Sequence, residues 1–142
     1  MPLGLEDRRI HDGMFRASSH YNSDCEPRNA RLNQRRTGRF GGAWCPKKSS
    51  FKEWLQIDFG ALTRFTRVQT QGRHNSDQWV TSYTLSHSKN GWDFVSYKEG
   101  RVVRVRIYVL FSLFQVFLWM CGLYSNMILQ TPAPWILLLF KG

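Results

Sequence analysis

The chain has 142 residues, 42% of them hydrophobic and 21% charged, with a formal net charge of +10. That length allows one domain, and the composition is that of an ordinary globular protein, which excludes collagen-like, wholly disordered and multi-domain readings. Charge is unevenly spread, since residues 1–100 carry 16 Lys+Arg and all 10 Asp+Glu whereas residues 101–142 carry 4 Lys+Arg and no acid, so the chain has two unlike parts.

Helical periodicity is scarce before residue 100, and short β-rich runs bounded by Gly, Asn, Asp and Ser recur, as an all-β sandwich or barrel requires. The first nine residues have no apolar core and do not read as a signal peptide. Residues 18–50 are polar, basic and glycine-containing and read as long loops around one short strand. Residues 53–60 alternate, with Leu55, Ile57 and Phe59 on one side and Trp54, Gln56 and Asp58 on the other, which is a strand. Gly60 marks a turn, and residues 62–71 form a second strand followed by a polar loop at 72–77. Residues 79–87 alternate again, with Tyr83, Leu85 and His87 on one face. Asn90-Gly91 then suits the two positive φ angles of a type I′ hairpin turn, after which residues 92–97 return.

Cys25 and Cys45 lie in polar, glycine-rich surroundings where a lone thiol would be exposed, while Cys121 sits in an apolar run, so Cys25 is expected to bridge to Cys45. A bridge implies an oxidising compartment. The four histidines have no helical partner and no Cys-x-x-Cys occurs, so no zinc site is predicted. Ser, His and Asp meet only within residues 73–77, where neighbours in sequence do not face one another and no strained elbow frames the serine; no catalytic residue is assigned. The cluster Arg31, Arg35, Arg36 and Arg39, with Phe40 and Trp44 nearby, suits an anionic partner. Nucleic acid is one such partner, but a sulfated glycan or lipid headgroup uses the same charges and fits an oxidising compartment better.

Seven segments, in order and spacing, carry a resemblance. They are Pro-Leu-Gly-Leu-Glu at 2–6, Ala-Ser-Ser at 17–19, Asn-Ala-Arg-Leu-Asn at 29–33, Gly-Ala-Trp-Cys at 42–45, Glu-Trp-Leu-Gln-Ile-Asp-Phe-Gly at 53–60, Thr-Gln-Gly-Arg at 70–73 and Trp-Val-Thr-Ser-Tyr-Thr-Leu-Ser at 79–86. Residues 2–99 thereby resemble the discoidin domain, also called the coagulation factor V/VIII type C domain. The resemblance implies a jelly-roll β-sandwich of about eight strands whose loops at one end bind phospholipid, glycan, collagen or other surface proteins. Those loops map onto residues 20–26, 35–43 and 73–78, and the implied contact residues are Tyr21, Asn22, Asp24, Arg39, Phe40, Arg73, His74, Asn75 and Asp77. Trp44, Trp54, Leu55, Ile57, Phe59, Val68, Tyr83, Leu85 and Trp92 fall in framework motifs and are assigned to structure.

This sequence departs from the family in lacking the cysteines of the terminal bridge and, after residue 100, the remaining strand motifs. The expected architecture is therefore an incomplete all-β sandwich over residues 1–100 and an unrelated hydrophobic tail over residues 101–142. Val103, Val105, Ile107 and Val109 alternate with Arg104, Arg106 and Tyr108 and supply one substitute strand at most. Three readings of the tail stand: a transmembrane segment at 107–129, which is long enough to span a bilayer, makeshift core, or translated non-coding sequence. Arg101, Arg104 and Arg106 would put the first part in the cytoplasm under the first reading, against the bridge; the last reading explains the lost strands and the composition shift together and is preferred.

The function implied is a non-catalytic module for cell adhesion or matrix recognition, extracellular or at the cell surface. Its partners would be a cell-surface glycan, an anionic phospholipid or a matrix protein, with no nucleic acid and no cofactor; calcium has no supporting residue pattern. The alternatives are a membrane-inserted fragment whose tail is the working part and a non-functional truncated product.

Overall fold

Among its described residues, a computed structural model of the chain has eight strands: β1 (Phe15–Ala17), β2 (Trp54–Thr63), β3 (Ser82–Ser88), β4 (Val95–Ser96), β5 (Lys98–Glu99), β6 (Val102–Val103), β7 (Arg106–Ile107) and β8 (Ala133–Lys141). Residues 5–38, 41–63, 70–74, 76–80, 82–99, 102–103, 106–107 and 133–141 are described. Among them the only helical pieces are 3-10 turns at Asp12–Met14, Ser23–Cys25 and Pro27–Asn29, and the described part of residues 18–50 has a lone bridge at Thr37 in place of the short strand expected there.

The alternation in residues 53–60 becomes β2, with Leu55 and Ile57 buried. In β3 the same period buries Tyr83 and Leu85, and the core gathers these with Leu55 and Trp44 while Ala17, Ala30, Phe59, Val80 and Tyr97 pack against it. Burying each such large side chain contributes about 1.5–3 kcal/mol, which is why these positions dominate the choice of strand face. The opposite face is covered as well, because Gln56, Ser86 and Ser88 are also buried.

Gly60 does not turn the chain as expected. Its φ of +70° and the shift in register between Asp58 and Thr63 make a bulge inside β2, and its N–H donates to Asp58 Oδ1 at 2.7 Å. A bulge of the G1 kind has one residue in a left-handed conformation, which glycine adopts without a Cβ penalty. Residues 64–69, with Val68 and most of the second expected strand, lie outside the described residues.

The hairpin β3–β4 forms, pairing Ser86 with Ser96 and His87 with Val95, but not through a type I′ turn. Only Gly91 has a positive φ, +80°. Instead Asn90 Oδ1 accepts from the N–H groups of Trp92 and Asp93, both at 2.9 Å, and Ser88 Oγ accepts from those of Asn90 and Gly91. Side-chain acceptors thus stand in for backbone carbonyls and stabilise a longer loop. That loop lifts Trp92 to 85% exposure, which overturns its assignment to the framework.

The main sheet runs β1-β2-β8-β3-β4, with β7 pairing β3, and β5 and β6 form a separate two-stranded ribbon. β8 comes from the stretch expected to lie outside the sandwich, yet its backbone pairs antiparallel with both β2 and β3, placing Leu138 in register between Leu55 and Leu85. Its run Trp-Ile-Leu-Leu-Leu-Phe is apolar without a break. Residues 108–132 lie outside the described residues, and with them most of the expected span at 107–129. Among the described residues no helix is long and apolar enough to cross a membrane.

Because β2 and β3 are each antiparallel to β8, they run parallel to one another and begin at the same end of the sheet. β1, antiparallel to β2, ends there too, with Ala17 opposite Leu55 and the Ser18 N–H donating to Trp54 O. This common end is where the three long loops leave the sheet; the β3–β4 hairpin tip with Trp92 lies at the other.

Candidate functional site

The first loop, residues 18–29, is anchored before it projects. Ser18 and Ser19 hydroxyls donate to the Glu53 carboxylate, the latter at 2.7 Å, and hold that carboxyl below the usual glutamate range. The Trp44 indole N–H donates to Ser19 O at 2.8 Å, so a core residue fixes the loop base. Beyond this point Asn22 Oδ1 accepts from the Asp24 N–H at 3.1 Å, capping the turn Ser23–Cys25. Tyr21 is left 69% exposed.

The second loop, residues 31–45, is pressed between the first and the third. Gly41 donates its N–H to Asp24 O at 2.8 Å, and a Cβ at that position would stand 2.1 Å from the same oxygen, so only glycine permits the joint. At Gly42 a Cβ would meet His74 Cβ at 2.6 Å, which welds the second loop to the third in the same way. The third loop closes on itself through Arg73 N–H to Gln78 O and the Arg73 guanidinium to Gln78 Oε1, at 2.8 and 2.7 Å. It reaches the second through the Arg36 N–H on His74 Nδ1 at 3.4 Å and the Asn33 N–H on Gln71 Oε1 at 2.8 Å.

Of the residues proposed from sequence, Tyr21, Asn22 and Asp77 are exposed, while Asp24, Arg73 and His74 are half-buried and hold the loops together. Arg39, Phe40 and Asn75 lie outside the described residues. Tyr21 and Arg73 both relate to Cys45: the Tyr21 N–H donates to Cys45 O at 2.9 Å, and the Arg73 charge acts on the Cys45 thiol. The expected Cys25–Cys45 bridge is not formed; both cysteines are free thiols, Cys25 buried and Cys45 half-buried. The two adjoin, with the Cys45 N–H on Cys25 O at 3.3 Å. Burial first, and then the neighbouring Cys25 thiol, push the Cys45 thiol up to about 12.

The arginine cluster is not one patch. Arg35 and Arg36 are exposed, but Arg31 is 3% exposed and turned inward. Its guanidinium donates to Leu5 O, Ile10 O and Asp12 Oδ1 at 2.8, 2.7 and 2.6 Å and lies 4.6 Å from the Phe15 ring centroid. Asn29, also buried, donates to Asp24 O at 2.7 Å. These two positions, which no charge count singles out, sit inside the Asn-Ala-Arg-Leu-Asn segment, and that segment was the available signal. Among the described residues no group of three or more His, Cys, Asp or Glu is arranged to hold a metal ion.

Residues 15–107 match the family model described as the F5/8 type C domain. The chain is 37% identical over 102 residues to mouse neuropilin-1 and 35% identical to the human protein, covering 69% of this chain and 10% of each relative. It therefore spans about a tenth of the length of the curated relatives it matches. Among solved structures, discoidin II from Dictyostelium discoideum superposes with a TM-score of 0.66 at 20% identity, over 89% of this chain and 48% of that one, a likeness of fold. A second, recombinant discoidin II structure gives a TM-score of 0.65 at 21% identity.

Proposed function

The chain belongs to the F5/8 type C domain family, and we propose that it is a non-catalytic binding module for cell adhesion or matrix recognition, acting outside the cell or at its surface. The observation that carries this reading is the meeting of three loops at one end of the sheet, with Gly41 and Gly42 packed too closely for any side chain. A surface held that rigidly loses little conformational entropy when it binds. Tyr21, whose backbone bonds to Cys45, offers an exposed ring, and Arg73 offers a cation close enough to act on the Cys45 thiol, with the exposed Arg35 and Arg36 on the second loop. An aromatic contact beside guanidinium groups suits a sulfated or acidic glycan, an anionic phospholipid headgroup or an acidic protein surface. Catalysis has little support here, since His74 Nδ1 accepts a backbone N–H from Arg36 and is occupied in joining two loops.

The test is binding of the full chain to phosphatidylserine vesicles and to immobilised heparin, over a salt series, for the parent and for Tyr21→Ala, Arg73→Ala and the loop variants Arg39→Ala and Phe40→Ala. Loss of a buried contact residue should weaken binding by about tenfold or more, and added salt should slow association. Binding indifferent to salt and unchanged in all four variants would remove these loops from the function.

A further inference from the structure

We infer that the hairpin tip at Asn90-Gly91 is a self-modification site, where the Gly91 amide nitrogen displaces ammonia from the Asn90 side chain and water opens the resulting cyclic imide. Three parts of such a reaction are already in place. The nucleophile is the Gly91 nitrogen, whose N–H donates to Ser88 Oγ at 3.0 Å, and glycine has no side chain to obstruct it. The electrophile is the Asn90 amide, whose Oδ1 accepts from the Trp92 and Asp93 N–H groups and from the Ser88 hydroxyl, each at 2.9 Å. Donors converging on an oxygen stabilise the negative charge it gains when its carbonyl carbon is attacked. The leaving nitrogen, Asn90 Nδ2, donates to Asp93 Oδ2 at 2.7 Å.

Ser88 joins the nucleophile to the electrophile. Its hydroxyl accepts from the Gly91 N–H and donates to Asn90 Oδ1, so one oxygen relays the proton from nitrogen to carbonyl oxygen as the new bond forms. Ser88 is 2% exposed, which keeps the relay dry, whereas Asn90 is open to the water that completes the reaction. The steps balance without an oxidant or reductant. The Gly91 nitrogen bonds to Asn90 Cγ, its proton passes through Ser88, and Oδ1 becomes a hydroxyl. As the carbonyl re-forms, that proton moves to Nδ2, the Cγ–Nδ2 bond breaks and ammonia leaves. Water adding at Cγ then gives aspartate, and water adding at the Asn90 main-chain carbonyl gives isoaspartate, with the chain rerouted through the side chain. In either product a carboxylate replaces the amide that bonded Asp93, so like charges meet and the loop that presents Trp92 opens. The tip lies at the end of the sheet away from the three loops, so this chemistry is separate from the binding function proposed above.

The test follows the full chain at neutral pH and body temperature. Samples are digested with trypsin and the peptide of residues 90–98 is mapped by mass spectrometry, which reads the mass gain of amide to acid, with chromatography separating aspartate from isoaspartate. The reference is the same chain unfolded in guanidinium chloride. The native chain should react on the order of tenfold faster, since its groups are already oriented. Ser88→Ala, which removes the relay, should slow the native reaction by about tenfold or more. Because Ser88 is buried, Asp93→Asn provides a second reading from an exposed position: it removes the charge beside Nδ2 and should slow the reaction by a smaller factor. A native rate no higher than the unfolded one, or a parental rate in either variant, would overturn the proposal.

Discussion

Replacing Arg31 tests whether a charge buried inside the loop base holds the amino-terminal segment onto the sheet. Its guanidinium is joined to two backbone carbonyls, at Leu5 and Ile10, by bonds from a charged donor, each contributing about 1.5–3 kcal/mol. The Asp12 partner is 44% exposed, so solvent screening reduces that pair to about 1 kcal/mol or less. The Phe15 ring adds about 1–2 kcal/mol, since both it and the guanidinium are desolvated. In Arg31→Ala, water can reach the half-buried Leu5 and Ile10 and recover part of the carbonyl bonding, which leaves a net loss of about 3–4 kcal/mol. Arg31→Lys keeps the charge and three N–H donors, but all on one nitrogen, which cannot reach acceptors set out for the two separate Nη atoms of the guanidinium, so about half of that loss should remain. Urea unfolding of the full chain, followed by circular dichroism, measures both. If the two variants fall within about 0.5 kcal/mol of the parent, the buried guanidinium is not what fastens residues 5–12, and the argument fails.

Gly41→Ala should cost about 1–3 kcal/mol, because the added methyl would meet the Asp24 carbonyl, which is backbone and cannot swing aside; an unchanged thermal midpoint would show that the two loops part freely. The serine hydroxyls that lower the Glu53 carboxyl favour its ionised form in the native state. That stabilisation is present above the ordinary value of 4.5 and is lost as pH falls through the lower native value. Glu53→Gln should therefore flatten the acid limb of stability against pH, and an acid limb as steep as the parent's would place the effect elsewhere.

The strands were legible in the sequence wherever a period of two was clean. Leu55, Ile57, Tyr83 and Leu85 alternate with other residues, and burying one face of a pleated strand leaves that alternation as its trace. The loops that carry the candidate site were legible through the resemblance of the segments that flank them, not through their own composition. Polar, glycine-rich stretches have no period to read.

What the tertiary structure alone decided concerns contacts between residues far apart in the chain. Arg31 read as one of four surface arginines until the segment at residues 5–12 folded over it, because the environment of a charge depends on what packs above it. Asn90-Gly91 looks like a two-residue turn, yet Ser88 and Asn90 side chains compete for the backbone N–H groups and win, leaving Trp92 outside. Gly60 signalled a break whose kind, a bulge and not a turn, was set by the pairing of β2 with β8. β8 itself, an apolar run with no alternation, could be assigned to membrane, core or neither from residues alone. Only β2 and β3, standing parallel with room for one strand between them, provide ladders on both of its edges. Composition and periodicity act over a few residues and determined the strands and the basic balance, while the family was legible only in the resemblance of ordered segments; closure of the sheet and the joining of three loops around Gly41 and Gly42 depend on atoms brought together from remote parts of the chain, and no local pattern encodes that meeting.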